Sequence, residues 1–485
     1  MRNKTTIQLI ILLLQCSVSL SLCGQSKLFF KDGKFKVAQF TDIHWDQKSS
    51  NCEKTKTSIQ AVLEAEHPDV AILTGDVVTA QPGVEGWKSI ISIFEQAQIP
   101  FAVVMGNHDA EMVAKDEIYS LLGRSPFFVG ERGPVNIQGM GNYVVPIYGT
   151  DGKQPAALLY CLDSNDYPVL KDYGTYDWIH FGQIEWYRTL SKYYTNKNEG
   201  NPLPSLAFFH IPLPEYKEVV GAETTLGRME EGEVTSPDIN TGLFASFLEM
   251  GDVMCTFAGH DHANDYIGML FKKGLAYGRV SGWDAYGDFE RGGRIIELRE
   301  GEFAFDTWIT TPKGREDTFY YPSGLSSKDE KSMKYLSAKQ VQATRQGVSY
   351  TYYEGKFKHT DQIGAGKMLK EGIMKNISIS EAPSKDHFAY VFKTLIKIPQ
   401  KGVYRFYTYS DDGSKLLIDG QVVVDNDDSH NARLAKGKVA LEAGFHELKV
   451  LYFEDYMGES LEVGISSREI PEKVIPDEML YVPCY

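Results

Sequence analysis

Five short polar clusters interrupt the first 310 residues: Asp42-Ile43-His44, Gly75-Asp76, Gly106-Asn107-His108-Asp109, His210, and Gly259-His260-Asp261-His262. Each is weak alone. An Asp-x-His is most often a pair of exposed polar residues, a Gly-Asp usually a turn, and a Gly-Asn-His-Asp can be a loop whose Gly and Asn serve positive φ. His210, after an apolar run, reads alone as a satisfied core histidine, and Gly-His-Asp-His as a polar turn. Together they say more. Of the seven histidines before residue 311, five fall in these clusters and only His67 and His180 lie outside. The set offers carboxylates, one amide oxygen and imidazoles, with no thiolate. Such donors suit Mn, Fe or Zn, and not a Cys-based structural zinc or an oxygen-only calcium site.

Every cluster follows directly on a run that reads as a buried strand. The runs are Lys36–Phe40, Val70–Leu73, Phe101–Val104, Leu206–Phe209 and Val253–Phe257, with a further one at Ala157–Leu162. Trp87, Ile90, Ile91 and Phe94 recur at helical spacing, and Thr57–Glu66 reads as a second helix ended by Pro68. Strand–helix alternation implies an α/β layered fold with largely parallel pairing in its first part. In such sheets ligands bind beyond the carboxyl ends of the strands, so five distant segments would meet on one rim. In extended backbone, residues i and i+2 share a side, so Asp42/His44 and His260/His262 would each present two donors to one centre. Runs at Arg294–Leu298 and Phe303–Trp308 are expected to close a second sheet.

The 485 residues are 42% hydrophobic and 24% charged, enough apolar content for a packed core. A formal charge of −15 argues against a general nucleic-acid binder. Arg2 and Lys4 precede the apolar run Leu9–Leu14 and a polar stretch to Gln25, so residues 1–24 are expected to be an export signal placing the protein in the periplasm, at the cell surface or outside the cell. Cleavage there is one outcome. Acylation of Cys23, giving a lipoprotein and the one expected membrane contact, is the other, against which bulky Leu22 counts. Outside that segment the cysteines form no CxxC pair, and Cys161 and Cys255 read as buried strand thiols. Residues 311–346 carry Pro312, Pro322, Gly324 and a polar run, and read as a linker with some helix near 337–344. From residue 347 to 485 the pattern is β, with Asp419-Gly420 marking a hairpin turn.

The order D-x-H, GD, GNHD, H, GHxH resembles the calcineurin-like metallophosphoesterase superfamily over about residues 33–310. The stretches Phe40–Trp45, His210–Tyr216 and Gly259–Tyr266 are most similar to its purple-acid-phosphatase-29-like and Dcr2-type branch. The resemblance implies a four-layer α-β-β-α sandwich with two adjacent metals. Asp76 would bridge them, Asp42, His44 and His262 would complete the first, and Asn107, His210 and His260 the second. His108 would stand beside the metals without ligating, and Asp109 would orient it or cap the helix beginning at Ala110. Two such cations lower the pKa of a shared water, giving a hydroxide nucleophile, and neutralise phosphoryl oxygens during in-line attack. His108 would stabilise the phosphoryl charge or protonate the leaving oxygen. Purple enzymes carry a Tyr three residues after the bridging Asp. Here that position is Thr79, so His44 is the replacement ligand and neither tyrosinate colour nor an Fe(III) assignment is expected. Trp45, Trp283 and Tyr286 are candidates for the cleft wall, against core or rim packing. The segment 221–239, with Glu230 and Glu231, is long enough to cover the site.

Gly402–Phe406, Ser410–Ser414, Leu417–Gly420 and Ala443–His446 resemble the PA14 family over about 347–468. Some members are similar to glycan-binding lectins in which adjacent aspartates hold Ca²⁺, the place of Asp411-Asp412 here; an exposed acidic turn is the competing reading. Two functions are therefore carried forward. One is an exported dimetal hydrolase of a phosphorylated small molecule or other phosphoester. The other is a surface glycan-binding or adhesion protein whose PA14-like module carries the main role.

Overall fold

The computed structural model describes residues 27–230, 232–341 and 344–484. The expected export segment, with Cys16 and Cys23, lies outside them. No helix among the described residues is long and apolar enough to cross a membrane.

Two sheets face each other in the N-terminal half. One holds Lys34–Phe40, Val70–Thr74 and Phe101–Val104 in parallel register. The other holds Pro155–Cys161, Ser205–Phe208, Val253–Ala258 and Lys273–Tyr277, also parallel. Period-2 alternation divides each strand between two layers of core. In Pro155–Cys161, Ala157, Leu159 and Cys161 enter the core between the sheets. Leu158 and Tyr160 instead meet Ile184 and Tyr187 of the helix Phe181–Lys197 and Phe244 and Phe247 of the helix Leu243–Met250. On the far side, the helices Cys52–Glu66 and Gly83–Ala97 cover the first sheet. The latter buries Trp87, Ile90, Ile91 and Phe94 as its spacing predicts, each worth about 1.5–3 kcal/mol. The result is the expected α-β-β-α sandwich.

Two expectations need correcting. Gly293–Arg299 and Phe305–Thr311 do not close a second sheet; they add antiparallel strands to the sheet that begins with Lys34–Phe40. The second sheet also includes Tyr143–Tyr148, whose Pro146 obscures its alternation in the sequence. The segment 311–346 is also more than a linker. Phe319–Tyr321 and Leu325–Ser326 extend the same sheet as a hairpin, with Pro322 and Gly324 in its turn. The helix lies at Ser327–Ser332, and the described residues 337–341 are not helical. It starts on a capping box in which Ser326 accepts from the Asp329 N–H and Asp329 accepts from the Ser326 N–H.

The C-terminal module is all-β. An eight-stranded and a four-stranded antiparallel sheet enclose a core of Tyr352, Phe388, Phe406, Leu416, Val450 and Ile465, among others. Strands Ser414–Ile418 and Gln421–Asn426 pair across the expected turn, where Asp419 (φ 48°) and Gly420 (φ 83°) are both left-handed. The two halves are joined. Tyr320 and Leu325 pack with Val403 and Ala440. Arg405 and Lys438 both reach Glu223 at 3.4 Å, and Lys438 also pairs with Asp329.

Candidate metal centre

Because the site-bearing strands run parallel within each sheet, their carboxyl ends open on one rim. The polar clusters emerge there on backbone few side chains tolerate. Asp42 (φ 51°), His44 (45°), Asp76 (49°) and His260 (80°) are all left-handed, at a cost of roughly 1–3 kcal/mol each. Main-chain bonds hold the turns: Asp42 N–H to Gly75 O, His44 N–H to Asp76 O, and Trp45 N–H to Val77 O. The glycines are required by close approach. A Cβ on Gly106 would lie 2.2 Å from Asp76 Oδ1, and one on Gly259 would lie 1.9 Å from Thr41 Oγ1.

Two donor groups result. Donor atoms of Asp42, His44 and His262 lie within 4.8 Å of one another, as do those of Asp76, His210 and His260. His260 and His262 thus fall in different groups. The expectation that each i, i+2 pair faces one centre fails for them and holds for Asp42 and His44, although both pairs include left-handed residues. Asp76 stands between the groups, with Oδ2 3.2 Å from His210 Nε2 and 3.7 Å from His44 Nε2.

The residues present fit a pair of cations. Among the described residues, thirteen buried side-chain polar atoms lack a hydrogen-bond partner, and five belong here: His44 Nε2, Asn107 Oδ1, His210 Nε2, His260 Nε2 and His262 Nδ1. Buried polar atoms are rarely left unpaired, so their concentration at one point fits donors arranged for cations. His210 is set for it: Nδ1 donates to Thr74 O at 2.8 Å, which leaves Nε2 free to ligate. Burial alone would raise the Asp42 and Asp76 carboxyls. His262 and His210 beside Asp42, and His210 and His44 beside Asp76, outweigh it and hold both below the usual range. Burial brings His44 down to about 4 and, with His210 adding to it, His260 down to about 3, so both are neutral donors at pH 7. Burial opposes protonation of His210 too, but Asp76 and Asp42 lift it to about 10, so a cation must displace a proton there. Loading the metal-free protein with Mn²⁺ is expected to raise its melting temperature by about 5 °C or more at 100-fold excess over Kd. Differential scanning calorimetry with and without chelator checks this; an unchanged melting temperature would count against the centre.

His108 sits at the edge, 38% exposed, with its ring centroid 6.0 Å from that of His44 and its N–H donating to Asp76 Oδ1. Asp109 does not orient it, nor does it cap a helix from Ala110. Its buried carboxylate accepts from the N–H groups of Val77, Val78 and Gly106, which ties the Gly-Asp loop to the Gly-Asn-His-Asp loop. The partner of His108 is Glu111, 3.0 Å from Nδ1. Sequence reasoning missed it, although i, i+3 spacing on one helical turn could have revealed it.

The two groups open into a cleft of about 240 Å³ lined by His44, Asp76, His108, Tyr176, His260 and His262, and also by Thr235, Asp261 and Tyr286. Tyr286 stacks on His262 at 3.9 Å, and Tyr176 meets the His260 ring edge-on at 4.5 Å. Trp45 is buried against the Gly83–Ala97 helix, and Trp283 donates to Ser58 on the Cys52–Glu66 helix, so neither lines the cleft. The 221–239 segment contributes Thr235, whose N–H donates to Asp261. Glu230 pairs with Arg228 instead, and Glu231 lies outside the described residues. Thr79 lies 3.4 Å from His44 Nδ1, in contact with the ligand expected to replace the missing tyrosine.

In the C-terminal module, Asp411, Asp412 and Glu454 form a third donor group within 4.8 Å. The buried Glu454 Oε1 has no partner. Burial, Asp412 and Asp411 push this carboxyl up to about 8.

A sequence model of the calcineurin-like phosphoesterase family matches residues 35–264, and one of the PA14 domain matches 344–479. Among curated proteins, the chain is 31% identical over 328 residues to "Probable inactive purple acid phosphatase 29" of Arabidopsis thaliana, covering 60% of this chain and 84% of that protein. It is 31% identical over 316 residues to "Probable inactive purple acid phosphatase 28" of the same plant, covering 58% and 79%. It is 30% identical over 342 residues to "Phosphatase DCR2" of Saccharomyces cerevisiae, covering 62% and 58%. Motif order, sandwich, paired donor groups and these relatives agree: the chain belongs to the calcineurin-like phosphoesterase family of metal-dependent phosphoesterases, extended by a C-terminal PA14 domain.

Proposed function

We propose that the protein is an exported phosphoester hydrolase working through two cations. Asp76, which stands between the two donor groups, would be shared by the cations; Asp42, His44 and His262 would hold one, and Asn107, His210 and His260 would help hold the other. The observation that carries this reading is the five orphaned donor atoms gathered around Asp76. When bound, the cations supply an activated water and neutralise charge on the phosphoryl oxygens. His108 borders the open side of the cleft, where its imidazole protonates the departing alcohol oxygen or steadies the phosphoryl charge. Tyr176 and Tyr286 wall the cleft against bulk water, and the Asp109 carboxylate keeps the two ligand loops in register. Two relatives bear the word inactive in their names; in this chain all seven ligand positions are filled by residues able to bind metal. The test is hydrolysis of p-nitrophenyl phosphate and bis-p-nitrophenyl phosphate by protein loaded with Mn, Fe or Zn. Absence of turnover by metal-loaded protein would end the enzymatic reading. For export, N-terminal sequencing of the secreted or membrane-extracted protein separates cleavage after residue 24 from acylation at Cys23.

A second role is favoured by the Asp411, Asp412 and Glu454 group: calcium-assisted glycan binding by the PA14 domain, which would tether the hydrolase to carbohydrate. The test is a glycan array on the full chain with calcium or chelator. Its pH dependence has a definite sign. In the ion-free protein the folded state holds the Glu454 proton up to about pH 8, whereas the unfolded chain releases it near 4.5. Stability from this group is therefore lost as pH rises from about 4.5 to about 8, and calcium, which needs the carboxylate, binds more tightly as pH rises toward about 8. Calorimetric titration at about pH 6 and about pH 9 is expected to show tighter binding at the higher value, and Glu454→Gln should flatten the difference.

A further inference from the structure

Glu111 and Tyr167 lie outside the donor groups, yet they touch two members of the machinery. Asn107 Nδ2 donates to the Tyr167 hydroxyl at 3.1 Å. That hydroxyl approaches Glu111 Oε1 at 3.4 Å, and the same oxygen lies 3.0 Å from His108 Nδ1. The chemistry of the three groups fixes the direction of the chain. A carboxylate only accepts, so the phenol proton must point to Glu111. The phenol oxygen is then left as an acceptor, and only the NH₂ side of the Asn107 amide can face it. The amide oxygen is consequently turned the other way, where it is buried and without a partner. The same carboxylate takes the Nδ1 proton of His108, which leaves Nε2 as the nitrogen for the cleft. Asp109, the other carboxylate within reach by sequence, is occupied by three main-chain N–H groups and cannot substitute.

We infer that Glu111 and Tyr167 are positioning residues: one carboxylate, acting directly on His108 and through the Tyr167 hydroxyl on Asn107, sets the orientation of both the proton donor and the amide ligand. This rests on the dimetal hydrolase reading above. It assigns work to a loop tyrosine and a helix glutamate that hold no metal themselves. Tyr167 is further fixed by stacking on Tyr176, whose ring meets the His260 imidazole.

Both side chains are more than two-fifths exposed, so their variants are expected to fold. Tyr167→Phe keeps the ring and deletes the hydroxyl. Calorimetric titration with Mn²⁺ alone is expected to show one of the two sites weakened by about 10-fold or more, the usual effect of losing an outer hydrogen bond to a ligand. Glu111→Gln can donate as well as accept, so it no longer fixes the chain's direction. It is expected to lower kcat for an alkyl phosphate by about 10²-fold with KM little changed, and to slow p-nitrophenyl phosphate much less, because that leaving group needs no proton. Wild-type Mn²⁺ affinity at both sites of Tyr167→Phe would overturn the ligand half of the inference. Equal slowing of both esters by Glu111→Gln would overturn the proton-donor half. If the wild-type protein turns over neither ester, the hydrolase reading fails, and the Mn²⁺ titration still decides whether Tyr167 orients Asn107.

Discussion

Asp76→Asn is expected to leave the protein folded, without its metal pair, and slower by about 10³-fold or more, since two cations contribute several kcal/mol and each 1.36 kcal/mol is tenfold in rate. Asp76 stands between the two donor groups, with Oδ2 toward both His210 and His44 while Oδ1 accepts the His108 N–H. Asparagine keeps that shape and one oxygen for the N–H group. It carries no negative charge to set against the two cations. Among the described donor groups no other carboxylate stands in the second one, so the Asn107, His210 and His260 site would be left with neutral donors only. Metal analysis of the purified variant and its kcat/KM on p-nitrophenyl phosphate check this. Two metals per chain with near wild-type turnover would show that Asp76 does not bridge.

His108→Ala is expected to separate metal binding from catalysis: full metal content, with a loss of about 10²–10⁴-fold in kcat on esters with poor leaving groups. The imidazole lies outside both donor groups and borders the cleft. Its contact with Asp76 runs through the main-chain N–H, which alanine retains. If the variant lost metal in parallel with rate, His108 would be a ligand and the division of roles would be wrong.

The candidate ligand residues were legible because their types are scarce and each follows an apolar run that had to be a strand. Asp42, Asp76, Asn107, His210 and His260 each sit two or three residues beyond a strand end. What escaped was local geometry. Nothing in Asp-x-His or His-x-His announces left-handed backbone, and the i, i+2 rule for extended chain then held for Asp42 and His44 but failed for His260 and His262, which the structure places in different groups. Adjacency in sequence favoured Asp109 as the partner of His108. The helical turn points that carboxylate into the main-chain N–H groups of the neighbouring loop and brings Glu111 to the imidazole instead. Residues 311–346 misled for a related reason. Their Pro, Gly and Ser fit a flexible connection equally well, and only the pairing of Phe319–Tyr321 with Phe305–Thr311 shows them to be turn and cap.

The contacts of Glu223 with Arg405 and Lys438 bear on how the halves can be studied. Glu223 begins the stretch that ends by placing Thr235 in the cleft, so the PA14 domain grips the root of one active-site wall. A chain cut short after residue 346 would lose that grip and bare Tyr320 and Leu325 to water. Reduced turnover in such a truncation would report a lost buttress and would say nothing about carbohydrate; surface substitutions near Asp411, far along the same strand from Arg405, are the cleaner way to silence the module.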